Sequence, residues 1–153
     1  MSKKDELEQE MAEYWREEVE QLRADSIHSS SCLAAEALSI IERFVQKQLY
    51  HNRTELFQSY SKLVNALVRA KPLLALLFTY EHRILDFIEF LPKEERDIRK
   101  VKKQVLEEIK AIRSEAAVRH KALSKFAARL IMEQHTVLTH SASSTVEAAL
   151  MEA

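Results

Sequence analysis

The sequence of 153 residues contains no glycine, only two prolines and a single cysteine. Without glycine, tight turns that need a positive φ must be made by Asn, Ser, His or Asp. Glycine-rich phosphate loops, such as the dinucleotide fingerprint and the Walker A loop, are excluded for the same reason. The lone cysteine, Cys32, excludes an internal disulfide framework and any CxxC metal site, and it favours a reducing compartment.

The chain also lacks an excess of charge of either sign and a long apolar run. Lys and Arg number 23 against 24 for Asp and Glu, so the net charge of −1 gives no global electrostatic case for binding nucleic acid or anionic membrane. The first residues are charged where a secretory peptide is apolar. The longest apolar run, Leu73–Phe78, is far shorter than the roughly 20 residues of a membrane span. We therefore expect a cytoplasmic protein with no membrane contact and no direct contact with nucleic acid.

Helical periodicity dominates the first 130 or so residues. Apolar residues recur every three or four positions, which places them on one face of successive amphipathic helices. The pattern predicts five helices, at about residues 4–24, 32–50, 54–71, 73–91 and 93–132, and Thr54 is the expected N-cap of the third. The fourth is apolar on most sides and is expected to be the most buried. The fifth would be about 60 Å long, so it must project, bend or pack against a partner chain.

The last residues depart from this pattern. Alternation and β-branching favour a short strand at residues 136–139, followed by a serine-rich turn and another helix. Ser144 and Glu147 have the spacing of a capping box, which predicts that this helix starts near Thr145. The expected fold class is thus all-α: a bundle of about five helices with a long last helix over residues 1–133. One strand and one helix, the opening of an α/β unit, follow over residues 134–153.

A serine-rich turn at a helix start is the strongest candidate for a site. Free N–H groups, hydroxyls and the positive end of the helix dipole meet there, which suits an anion, although the serines can also act only as helix caps. The six histidines offer no metal site, since no pair has the i, i+4 spacing and no cysteine cluster joins them. A Ser-His-Asp hydrolase is equally unsupported. No metal and no cofactor are expected.

Three segments resemble a known family in the family's own order. The stretch 137–146, preceded by the helix 122–131, resembles the domain junction of the translation initiation factor 2B alpha/beta/delta family. Residues 25–38 are similar to the family's segment in which a Gly-Ala pair precedes a helix, and residues 67–72 to its Ala-Arg-Pro helix end. The family also includes aldose–ketose isomerases acting on ribose 1,5-bisphosphate and methylthioribose 1-phosphate.

The resemblance implies an N-terminal helical domain followed by a Rossmann-like domain, truncated here after its first strand and helix. It also implies that His28 folds near the serine-rich turn. The candidate anion-binding or ligand-binding residues are, on this basis, His28, Ser29, Ser30, His140, Ser141, Ser143 and Ser144. A phosphorylated small molecule is the ligand class that the resemblance suggests.

Departures from the family's pattern argue against catalysis. A cysteine that takes part in the isomerase reaction is replaced by Ser141, and a hydroxyl is a poorer acid and nucleophile than a thiol. The catalytic aspartate belongs to the later α/β domain, and the phosphate-holding Arg-Gly-Ala-Gly is His28 to Ser31 here. We therefore expect a non-catalytic regulatory or assembly module that acts through self-association or a protein partner. Two alternatives stay open: a truncated isomerase relative that binds a phosphorylated sugar or nucleotide, and a structural helical protein whose match is accidental.

Overall fold

The computed structural model describes residues 15–47, 50–92, 97–140 and 142–153, and within these ranges the chain is helical without a strand. The all-α expectation is therefore confirmed. The helices are α1 (residues 15–24), α2 (Ser30–Lys47), α3 (Arg53–Ala70), α4 (Ala75–Phe90), α5 (Ile98–Ala128) and α6 (Ser144–Glu152). The predicted start of α1 at residue 4 lies outside the described residues.

Side-chain caps and proline fix the helix ends. Asn52, rather than the predicted Thr54, caps α3, because its side chain accepts a hydrogen bond from the Glu55 amide at 2.9 Å. α3 ends at Ala70, two residues before Pro72. This was expected, because a proline disfavours helical dihedrals at the residue before it. Asp97 caps α5 by accepting from the Arg99 amide, so that helix starts later than predicted.

The core is built around α2. Seven of its residues are buried, against five on α4, and α2 contacts α3, α4 and α5. The prediction that the fourth helix is the most buried was wrong, because the apolar residues encircle α4 and leave Phe78 and Phe90 exposed. The buried apolar side chains of α2 are Ala34, Ala37, Leu38, Ile40, Ile41, Phe44 and Val45.

α1 covers one side of this core. Val19 and Leu22 are buried, and the Trp15 ring meets the Phe44 ring edge-on with centroids 6.4 Å apart. An ion pair between Glu18 and Arg43 spans α1 and α2 at 2.9 Å. Because the arginine side chain is partly exposed, apolar burial contributes more to this contact than the ion pair does.

α5 is the longest helix, and its two halves differ. Four apolar residues in its first half, Val101, Val105, Ile109 and Ile112, belong to the main core. In its second half the buried residues are the small Ser124 and Ala128, which lie outside the main core. α6 packs against α5 and buries Ala149. The far part of the long helix is therefore covered in part by the chain's own last helix.

A turn and an irregular segment connect α5 to α6. The His135 amide donates to the Met132 carbonyl at 3.1 Å, and Gln134 takes the positive φ of 71° that glycine would otherwise supply. We had expected Asn, Ser, His or Asp at such a position. The strand predicted at residues 136–139 is not formed, and residues 135–140 are exposed without regular structure. A strand needs a neighbour to pair its backbone groups, and the described part of the chain offers none.

None of the described helices is long and apolar enough to cross a membrane. The division of the chain into domains at residue 133, and the assignment of residues 134–153 to a Rossmann-like domain, stay predictions.

One carboxyl group is buried in the core. Glu81 of α4 is fully buried, and neither of its carboxylate oxygens has a hydrogen-bond partner among the residues that the structure describes. Burial raises the pKa of Glu81 from 4.5 to about 8, because a desolvated carboxylate is unfavourable. The backbone carbonyl of the same residue accepts from the Tyr60 hydroxyl at 3.3 Å. At neutral pH the folded chain therefore holds a neutral acid that the unfolded chain would ionise.

We predict that Glu81→Gln removes a pH-dependent loss of stability. The folded-state pKa of Glu81 is raised, so the stability that this group contributes is fully present below pH 4.5 and is lost as pH rises towards about 8. Within that window the free energy of unfolding should fall by roughly 1.4 kcal/mol per pH unit because of this group. Urea unfolding between pH 5 and 8 would measure the slope in each protein. Glu89→Gln, the same change on the exposed side of α4, should keep the wild-type slope; equal slopes in all three proteins would contradict the prediction.

Candidate functional site

The two serine-rich segments singled out in the sequence meet in the fold. The turn between α1 and α2 and the start of α6 line a cavity of about 450 Å³, which we call the serine cavity. Its lining residues come from both segments: Ile27, His28, Ser29, Cys32, Thr139, Ala142, Ser143, Ser144, Val146, Glu147 and Leu150. The juxtaposition of His28 with the α6 turn, which the resemblance implied, is therefore present.

Each side of the serine cavity is a helix start. Ser29 precedes α2, and its hydroxyl accepts from the Cys32 amide at 3.4 Å. Ser143 is the N-cap of α6, and its side chain accepts from the Val146 amide, also at 3.4 Å. The first N–H groups of a helix have no partner within the helix and carry partial positive charge. Two such ends at one cavity favour a negatively charged or strongly accepting group there.

A chain of hydroxyls joins the two helix starts. The oxygen of Ser31 lies 3.1 Å from that of Ser29 and 2.6 Å from that of Ser144. The second contact links residues 113 positions apart in the sequence, so it fixes α6 against the start of α2. Ser31 was not among the predicted site residues, although it belongs to the run of three serines that drew attention to the segment.

The charges around the serine cavity limit its attraction for anions. The Nδ1 atom of His28 lies 2.6 Å from Oδ2 of Asp25. Backbone hydrogen bonds from His28 and Ile27, followed by the His28 side chain, lower the pKa of Asp25 to about 2. The carboxylate thus stays ionised at neutral pH and offsets a protonated His28. Glu147 also lines the cavity, and its described lining includes no Lys or Arg.

The structure brings together four of the seven predicted residues. His28, Ser29, Ser143 and Ser144 line the serine cavity. Ser30 starts α2 but is not part of the lining, and His140 is exposed outside it. Ser141 lies outside the described residues.

The predicted capping box at α6 was wrong by one position. Ser143, and not Ser144, is the N-cap, so the residue at the third helical position is Val146 and Glu147 falls one residue too late. In a run of serines the spacing alone does not identify the cap. No group of three or more His, Cys, Asp or Glu among the described residues is placed to hold a metal ion.

The fold and the site together define a helical domain whose cavity is formed where its last helix returns to the start of α2. The chain belongs to the initiation factor 2 subunit family, whose model matches residues 26–153. The match includes both serine segments, and it argues against an accidental resemblance. No curated protein and no solved structure gives a significant match to the chain.

We predict that inorganic phosphate binds weakly at the serine cavity, with a dissociation constant of about 1 mM or higher. Hydroxyls and helix N–H groups attract the anion, but Asp25 and Glu147 oppose it and no glycine lets the backbone wrap it. Phosphate titration followed by NMR should shift the backbone amides of residues 28–32 and 143–147. His28→Arg should tighten phosphate binding only modestly, because the Asp25 carboxylate would neutralise part of the new positive charge.

The matched control is His51→Arg, the same change at an exposed residue that does not line the cavity. It should leave the phosphate affinity unchanged. Amide shifts centred elsewhere, or none at high phosphate concentration, would mean that these serines act only as helix caps.

Proposed function

We propose that this chain is a non-catalytic, initiation-factor-2B-like regulatory or assembly module that works in the cytoplasm by associating with protein. The partner is a second copy of the chain or another subunit. Membership of a family described as subunits supports this proposal, and one structural observation carries it.

That observation is an apolar stripe on the second half of α5 and just beyond it. Leu123, Phe126 and Leu130 follow one another at intervals of three and four, and their exposed fractions are 56%, 64% and 62%. We call these three residues the α5 stripe. Residues at this spacing share one helix face, and contiguous apolar surface of this kind marks protein interaction sites. Met132 and Leu138, in the segment after α5, are also largely exposed.

The chemistry at the serine cavity supports a non-catalytic role. Ser141 stands where the isomerases of the resemblance carry a reactive cysteine. General acid–base catalysis also needs a positioned acid, base and charge stabiliser. The described cavity lining supplies hydroxyls, the His28 imidazole, the Cys32 thiol and one carboxylate, Glu147, but no arginine for a phosphate.

A second candidate function is the binding of a phosphorylated sugar or nucleotide without turnover. The two helix starts that converge on the serine cavity favour it. The volume of the serine cavity, about 450 Å³, also falls within the usual size range of small-molecule sites. Saturable binding of ribose 1,5-bisphosphate with shifts at residues 28–32 and 143–147 would support this function beside association.

We predict that Phe126→Glu shifts the chain towards the monomer. A charge in the centre of the α5 stripe would have to be desolvated at an interface, which costs several kcal/mol when unpaired. Sedimentation velocity at tens of micromolar should show self-association of the wild type, or a complex with a partner subunit, that this variant loses. Ser114→Glu makes the same change of charge on an exposed part of α5 away from the stripe and should behave as the wild type. A wild-type chain that stays monomeric and binds no family subunit would refute association.

We predict that the chain does not isomerise ribose 1,5-bisphosphate or methylthioribose 1-phosphate. The variant Ser141→Cys restores one thiol, but one group without a positioned acid and phosphate cation should leave the rate at background. Product formation measured with each substrate tests both proteins. Turnover by the wild type would show that a serine suffices at this position and would overturn the non-catalytic assignment.

A further inference from the structure

A second cavity lies on the opposite side of the start of α2, between α2, α4, α5 and α6. It measures about 480 Å³, and we call it the arginine cavity, because Arg113 and Arg119 line it together with His120. Its walls are mainly apolar and include Leu38, Leu76 and Leu123. This volume is in the range of small-molecule sites, which combine apolar walls with a few polar groups.

Two nitrogen atoms of this cavity's residues lack hydrogen-bond partners. The Nε atom of Arg113 and the Nε2 atom of His120 are buried and make no hydrogen bond to any of the described residues. A buried polar group without a hydrogen-bond partner costs about 1 to 3 kcal/mol, so native proteins leave few such groups. Both residues line one cavity, and rotation of each side chain would present its nitrogen to an acceptor there.

The charges of the arginine cavity favour an anion, with Glu42 offsetting part of the charge of Arg113. Arginine remains protonated at neutral pH, and none of the described residues that line the cavity is acidic. Nη2 of Arg113 donates to Glu42 at 2.9 Å and to Ser39 at 3.1 Å. That ion pair holds the guanidinium in place on the α2 side, and Glu42 itself does not line the cavity.

The apolar walls exclude a small hydrophilic anion as the best ligand. Leu76 and Leu123 line the cavity and are 39% and 56% exposed overall, and a hydrocarbon chain would gain about 25 cal/mol for each Å² of apolar surface that it covers. We propose that the arginine cavity is a binding site for a monocarboxylate with a hydrocarbon tail. The carboxylate accepts from Arg113 and His120, and the tail lies along the leucines.

The test uses octanoate as the probe and follows the isotope-labelled chain by NMR and calorimetry, far below micelle-forming concentrations. We expect a dissociation constant of roughly 0.1 to 1 mM, typical of a ligand with about ten non-hydrogen atoms. Amide shifts should centre on residues 113–123 and 31–38. Acetate, which lacks the tail, and octyltrimethylammonium, which has the opposite charge, should each bind at least about tenfold more weakly.

Two variants and one matched control complete the experiment. Ala117→Phe narrows the cavity from an exposed position of α5 and should weaken octanoate binding at least about tenfold. His120→Leu removes one donor and should weaken it several-fold. Val118→Phe introduces the same ring at the next residue, which is exposed and does not line the cavity, and it should bind octanoate as the wild type does.

Several results would overturn the proposal. They are equal affinity for octanoate and the octyl cation, amide shifts centred on the serine cavity, or equal octanoate binding by Ala117→Phe and Val118→Phe. Absence of octanoate binding to the wild type at 10 mM, roughly tenfold above the weakest expected dissociation constant, would do the same.

Discussion

The burial of α2 among α3, α4 and α5 is the constraint on which the other features of this molecule depend. Seven of its 18 residues are buried, so its axis and both ends are fixed by the core. Its N-terminal end carries Ser29 and Ser31, and Ser31 also lines the arginine cavity. The serine cavity and the arginine cavity therefore share a rigid boundary that the hydrophobic core positions.

α6 is attached to this boundary by small residues and hydroxyls. Ala149 is buried against the bundle, and Ser144 bonds to Ser31 at 2.6 Å. A single neutral hydrogen bond contributes only about 1 kcal/mol net, and an alanine buries little apolar area. Both cavities nevertheless need α6, because Ser144 lines the serine cavity and Thr145 the arginine cavity. The sites thus depend on a helix with one buried residue, Ala149.

The sequence predicted the helices well and their ends less well. Apolar periodicity is a repeated signal, so it located α2 to α5, but a cap is set by one side chain, and Asn52 and Ser143 each took a role assigned to a neighbour. The strand failed for a different reason. A β-branched run such as 136–139 favours extended backbone, yet a strand exists only with a partner to pair its N–H and C=O groups.

The residues of a candidate site could be predicted where they are neighbours in the sequence. His28 and Ser29 were found because consecutive polar residues interrupt a helical pattern and because the family resemblance related them to the α6 turn. Arg113 and His120 gave no such signal, since they are two turns apart on a charged helix and acquire significance only through the cavity that α2 and α4 close. Glu81 was missed for the same reason. A single acidic residue in an apolar helix is expected to face solvent, and only the packing shows that Glu81 is buried.

The two halves of α5 differ in the size of the side chains that they bury. In the first half large side chains such as Ile109 are buried, whereas in the second half Ser124 and Ala128 are buried and Phe126 is 64% exposed. Burying a large apolar side chain stabilises a fold by about 1.5 to 3 kcal/mol, so burial of Phe126 against the core would stabilise the folded chain. α6 packs against α5, and the buried residues of this part of α5 and of α6 are small: Ser124, Ala128 and Ala149. Within the described residues the large side chains of the α5 stripe are therefore left exposed, and this is the physical basis for proposing the stripe as the association surface.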